Sequence, residues 1–106
     1  MPKKLLSEMT PQELQMEMEL CQTSAKRAID DGMISEYQVY EQRYYMAKSY
    51  LMSPQDVQLD VTYGIENDTN LFVVKSLRGV LAYGKVLGQQ GEKAYPIGLL
   101  VPLDFN

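Results

Sequence analysis

Met46-Ala47-Lys48-Ser49-Tyr50-Leu51-Met52-Ser53-Pro54-Gln55-Asp56-Val57-Gln58-Leu59-Asp60-Val61-Thr62-Tyr63-Gly64-Ile65 is the stretch in which the chain changes its period. Before Pro54 the apolar residues recur every three or four positions, as along one side of a helix. From Gln58 they alternate with polar ones, as in a strand with one face buried. Pro54 disfavours helical geometry at Ser53, and Ser53-Pro54-Gln55-Asp56 has the pattern of a capped single helical turn. The sequence thus predicts an α+β chain. A helical unit over 1–56 precedes a β unit over 57–106, and the two share one core as a single domain.

Working back from this switch, Ser35 is expected to cap a second helix running to about Met52, with Glu36 in its first turn. Its main apolar stripe is Met33, Tyr37, Tyr40, Tyr44, Ala47 and Leu51. Val39, Met46 and Tyr50 form a second apolar group roughly 120° around the same wheel. Ser35, Gln38, Gln42 and Ser49 make a narrow polar side. Upstream, Thr10-Pro11-Gln12-Glu13 reads as a capping box with proline at the first helical position. Leu14, Met18, Cys21, Ala25, Ala28 and Ile29 then fall on one stripe, and Gly32 supplies a left-handed stop after a helix from about Pro11 to Asp31. The two helices are expected to form an antiparallel hairpin.

Working forward, Asn67-Asp68-Thr69-Asn70 is dense in turn formers, and Leu71 to Leu77 is a β-branched and aromatic run. Arg78-Gly79 reads as a tight reversal that would put Arg78 at a position needing positive φ. Val80 to Leu87 is the next strand, with Ala82 and Gly84 small on one face and Leu81 and Tyr83 large on the other. Gly88-Gln89-Gln90-Gly91 is a flexible tip, and Lys93 to Val101 an extended stretch broken by Pro96 and Gly98. Four or five short strands in this space suggest a small barrel or rolled sheet, which the small residues on one face help to coil. The outer face at Leu81 and Tyr83 is expected to receive the hairpin.

The 106 residues carry a net charge of −4, with 6 basic against 9 acidic residues in 1–56 and 4 against 5 in 57–106. Neither half has the basic surplus that favours a nucleic-acid backbone. The chain has no histidine and one cysteine, which removes the commonest general base and metal ligand and any internal disulfide. No apolar run approaches the roughly 20 residues of a membrane span, and Leu5-Leu6 is too short for a signal-peptide core. A cytoplasmic protein is expected. No phosphate-loop, dinucleotide, nucleophile-elbow or calcium-loop spacing occurs. No enzyme activity, cofactor or metal site is therefore assigned, and Cys21 reads as a buried structural thiol.

The candidate interaction residues are the four cations of the β half, Lys75, Arg78, Lys85 and Lys93, and two tyrosines of the second helix, Tyr45 and Tyr50. Several of the cations gather near one hairpin end if the strands pair as drawn, either as a solvated rim or as a patch for an acidic partner or a nucleic-acid backbone. The tyrosines offer an aromatic surface to a peptide. The expected function is a non-enzymatic interaction module with a protein partner, and the alternative is a nucleic-acid-associated regulator. Internal docking of the hairpin leaves the chain a monomer or weakly self-associating.

Met9-Thr10-Pro11-Gln12-Glu13-Leu14, Gly32-Met33-Ile34-Ser35-Glu36 and Met46-Ala47-Lys48-Ser49-Tyr50-Leu51 with Pro54 and Asp56 resemble the YfhH-like family of small proteins from Gram-positive bacteria. So do Tyr63, Glu66-Asn67, Phe72 and Gly79-Val80-Leu81-Ala82-Tyr83-Gly84, so that the resemblance runs in order from about Met9 to Leu100. It implies a helical hairpin followed by an SH3-like barrel, with no enzymatic activity, and a suggested role in transcriptional regulation. The family pattern favours Asn-Gly where this chain has Arg78-Gly79. The resemblance supplies no catalytic or binding residue.

Overall fold

The computed structural model describes residues 4–103 and divides the chain into two compact units, Met1–Leu51 and Met52–Asn106. In the first unit a short 3-10 turn, Leu6–Glu8, leads into helix α1 (Pro11–Asp30) and helix α2 (Ile34–Leu51). The capping box forms as expected. The Thr10 hydroxyl accepts from the Glu13 amide, and the Glu13 carboxylate accepts from the Thr10 amide at 3.1 Å. At the other end Gly32 has φ +73, its amide donates to the carbonyl of Ile29, and the Met33 amide donates to that of Ala28. This pair of bonds is the Schellman arrangement, and it turns the chain within three residues.

Helix α2 starts two residues earlier than the Ser35 cap predicts. Met33, whose carbonyl accepts from the Tyr37 amide, occupies the cap position. The Schellman turn has already fixed the backbone at Met33, and Ser35 falls inside the first turn. Leu14, Cys21 and Ala28 of α1 and Ala47 of α2 are buried. Tyr37, Tyr40, Tyr44 and Leu51 are half-buried, while Ile29 and Met33 are exposed at the margin of the hairpin. Two polar residues of the hairpin are buried. Ser49, expected on the polar side, is fully buried and donates its hydroxyl to the Tyr45 carbonyl one turn back at 2.6 Å. Glu17, a charged residue at a position within the α1 stripe, is buried beside Arg43.

In the second unit the 3-10 turn Pro54–Asp56 is capped by Ser53, as predicted. Five antiparallel strands follow: β1 (Thr62–Ile65), β2 (Asp68–Arg78), β3 (Leu81–Val86), β4 (Lys93–Pro96) and β5 (Leu100–Pro102), in the order β4-β3-β2-β1-β5. Strand β1 is shorter than the alternating run, because Asp60 sits at φ +61 and breaks the strand before Val61. The β1–β2 turn is Glu66-Asn67, with Asn67 at φ +61, so Asp68 to Asn70 belong to β2 rather than to a loop. Arg78 ends β2 paired with Leu81, and the reversal is Gly79-Val80 with Gly79 at φ +57. The expected strain at Arg78 is thus removed by moving the turn one residue on, where glycine takes the left-handed position.

The core of this unit is Val57, Tyr63, Ile65, Phe72, Val74, Ala82, Val86, Ile97 and Leu100. Gly84 is part of the same buried face, and a Cβ there would stand 1.9 Å from the carbonyl oxygen of Val73. The bulge between Val74 and Ser76 draws the two backbones together at this point, so only glycine fits. A 3-10 turn of three residues, Ile97–Leu99, carries the chain from β4 at one sheet edge to β5 at the other. Flat, those edges would stand roughly 19 Å apart. Three residues of 3-10 helix advance only about 6 Å, so the sheet must curl. Among the described residues no ladder joins β4 to β5, and the sheet is open.

Candidate interaction surface

The hairpin carries an open cleft of about 360 Å³ between its helices. Cys21, Ala25 and Ile29 of α1 and Tyr37, Tyr44 and Tyr45 of α2 give it an apolar and aromatic lining, with Gln22, Lys26 and Glu41 at the margins. These residues recur at three- and four-residue intervals, so each helix supplies one stripe to the same groove. The Tyr44 and Tyr45 rings pack edge to face with centroids 5.0 Å apart, which fixes both against rotation. The Tyr37 hydroxyl donates to the Glu41 carboxylate. That bond, with the charge of Glu41 beside it, holds the phenol above the ordinary tyrosine pKa. The Lys48 ammonium stands 5.9 Å over the Tyr45 ring.

Tyr45 therefore lines the cleft. Tyr50 belongs to a second depression on the same unit, with Lys4, Leu5, Leu6, Ser7, Arg43 and Met46. Its floor is tied together by Arg43, whose Nε donates to the Glu17 carboxylate at 2.6 Å. Sequence reasoning missed this pair. The signal was available in the spacing, since Glu17 lies three residues after Leu14 and four before Cys21, on the stripe itself. Val39, placed with Met46 and Tyr50 in the second apolar group, is 62% exposed.

The register separates the four cations of the sheet. Lys93 pairs with Gly84, Lys85 is the next residue along β3, and Lys75 is the extra residue of the bulge opposite Gly84. Three cations thus gather around one rung, near the β3–β4 end. Lys75 is not a free charge there, since its ammonium pairs with Asp60 at 2.9 Å. Lys85 lies between the buried Gly84 and Val86 and so projects from the other face. Arg78 does not join them. It sits at the β2–β3 turn with its guanidinium 5.3 Å over the Tyr83 ring.

Among the described residues no group of three or more acidic, cysteine or histidine side chains stands close enough to hold a metal, and no helix is long and apolar enough to cross a membrane. No buried side-chain polar atom there lacks a hydrogen-bond partner.

A helical hairpin with an aromatic cleft, followed by an open five-stranded antiparallel sheet, places the chain among small α+β proteins. It belongs to the family described as "Protein of unknown function (DUF1811)", whose model matches residues 4–101. It is 39% identical over 99 residues to "Uncharacterized protein YfhH" of Bacillus subtilis (strain 168), covering 92% of this chain and 95% of that protein. The resemblance seen in the sequence motifs is thereby a family membership.

Proposed function

We propose that the chain is a cytoplasmic, non-enzymatic protein-interaction module in which the helical hairpin accompanies an SH3-like barrel. The strand order, the curling forced by the Ile97–Leu99 turn and the bonds that hold this region support the barrel assignment. The Ile97 amide donates to the Val80 carbonyl, and the Leu99 carbonyl accepts from the Glu66 amide. The observation that carries the interaction reading is the cleft between α1 and α2. It is open along its length and walled by tyrosines, which suits a side chain of a docking segment better than an enclosed substrate. Capture of partners from native cytoplasm tests this. Ala25→Leu, which fills the cleft, is expected to abolish a capture that Lys75→Gln, Lys85→Gln and Lys93→Gln leave intact. Equal capture by the filled variant overturns the assignment.

The lysines around the Gly84 rung favour a second reading, a nucleic-acid-associated regulator. The net charge of −4 weighs against it. A shift assay over a salt series separates the two, because backbone binding weakens steeply as salt rises.

A further inference from the structure

Strand alternation divides the cations of the sheet between its two faces. In β3 the residues Ala82, Gly84 and Val86 are buried, so Leu81, Tyr83 and Lys85 occupy the opposite face. Arg78 pairs with Leu81 and shares that face, where its guanidinium covers the Tyr83 ring. Stacking uses the flat side of the guanidinium and leaves its in-plane N–H groups for a carboxylate. Lys85 stands two residues beyond Tyr83, roughly 7 Å along the strand. Leu87 follows at the same interval. Its amide donates to the Leu71 carbonyl, and both leucines are exposed. Arg78 and Lys85 are exposed too, and among the described residues neither takes part in an ion pair, whereas Lys75 is neutralised by Asp60. The strands contain a single acidic residue, Asp68, which pairs with the buried Ile65 and so belongs to the core side. This face therefore carries positive charge with no carboxylate among its strand residues.

We infer that this face of β2 and β3 docks an extended acidic segment of a partner protein. Two carboxylates at alternate positions meet Arg78 and Lys85, and an apolar side chain two residues further on lies against Leu71 and Leu87. Alternate residues of an extended peptide repeat at the spacing of the strand beneath, so one straight segment reaches all three points. Opposite charge at matching positions selects it, and a basic segment would be repelled. A nucleic-acid backbone suits the face less well. It would set a phosphate against the leucine pair, and its many charges would meet a chain of net charge −4. The surface lies on the second unit and makes no use of the hairpin cleft.

The test uses the full chain and three probes: acetyl-Glu-Ser-Glu-Ser-Leu-amide, its neutral analogue acetyl-Gln-Ser-Gln-Ser-Leu-amide, and a short oligothymidylate. Backbone amide shifts are followed by NMR. The acidic peptide is expected to move the amides of Val73, Ser76, Tyr83, Lys85 and Leu87 with saturation in the millimolar range, and the glutamine peptide is expected not to. Arg78→Gln and Lys85→Gln should each weaken the acidic peptide about fivefold with an unchanged thermal melt, because both side chains are exposed. Arg78→Lys, which keeps the charge without the planar fork, should restore part of that loss. Ala25→Leu, which fills the hairpin cleft, should bind the peptide as the parent chain does, so failure of this surface and failure of the cleft are separate results. Equal shifts from the glutamine peptide, shifts away from β2 and β3, full binding by both glutamine variants, or tighter binding of the oligothymidylate on this face overturn the inference.

Discussion

Gly84 and Gly79 show how two glycines of one strand pair serve different ends. At Gly84 the obstacle is the Val73 carbonyl, which a methyl group would overlap. Gly84→Ala is expected to cost about 3 kcal/mol or more in urea unfolding, since backbone rather than a mobile side chain must yield. At Gly79 nothing lies within 4 Å, and only its positive φ resists a side chain. Gly79→Ala should cost about 1–2 kcal/mol, and a larger loss there than at Gly84 would refute this division. Cys21 is 3% exposed, so a thiol reagent should label it slowly in the native chain and quickly in denaturant. Fast native labelling would place it at the surface. Glu13 is held below the ordinary glutamate range, chiefly by the Thr10 amide and then by Lys4. A depressed carboxyl stabilises the fold above its unfolded pKa, and that contribution disappears as pH falls through the folded value. Glu13→Gln should therefore flatten the acid limb of the stability profile, and an unchanged limb would contradict the capping role. The capping box was legible from four letters because its partners are three residues apart. The Val73–Gly84 contact was not, because it depends on which strand faces which.

Among the described residues, Arg43 of α2 and Glu17 of α1 form a cross-helix ion pair. Glu17 is buried and Arg43 is partly exposed, so the two do not respond alike to replacement. Arg43→Ala removes a cation from beside a buried carboxylate and should destabilise the hairpin by about 2 kcal/mol, discounted for the access of Arg43 to water. Glu17→Leu should be far milder, because an apolar side chain suits the stripe between Leu14 and Cys21 and Arg43 can turn to solvent. Chemical denaturation of both variants checks the asymmetry, and the reverse order would mean that Glu17 is not the desolvated partner. Helix α2 was harder to read than α1. Its apolar residues cover two sides, and Ser49 is buried by satisfying its hydroxyl on its own backbone. Hydroxyl burial of this kind leaves no mark in hydropathy. Strand limits moved by one to four residues wherever a positive φ, at Asp60, Asn67 or Gly79, set the turn.

For the whole chain, the net charge of −4 and the burial of Leu14, Cys21, Ala28 and Ala47 predict a monomer with weak self-association. Sedimentation equilibrium over a wide concentration range tests it. A tight dimer persisting at high dilution would instead make the exposed side of α2, with Val39 and Tyr50, an interface between copies. The positions of the candidate residues depend on different kinds of information. Tyr45 reached a cleft through helical periodicity, which is local. Lys75, Lys85 and Lys93 share one rung through strand register, with Lys85 on the other face, and Arg78 was left out by the same register.

Local rules settled the order of helix, helix and short strands, the caps at Thr10 and Ser53 and the stop at Gly32. Each depends on residues within a turn of one another, and hydrophobic periodicity supplied the rest. Tertiary contact settled the bulge at Lys75, the burial of Glu17 and Ser49, the turn at Gly79-Val80 and the crossing from β4 to β5. Those features arise when segments distant in sequence compete for the same space and the same hydrogen bonds. The period of a side-chain pattern says which face turns inward, but not what it will meet there.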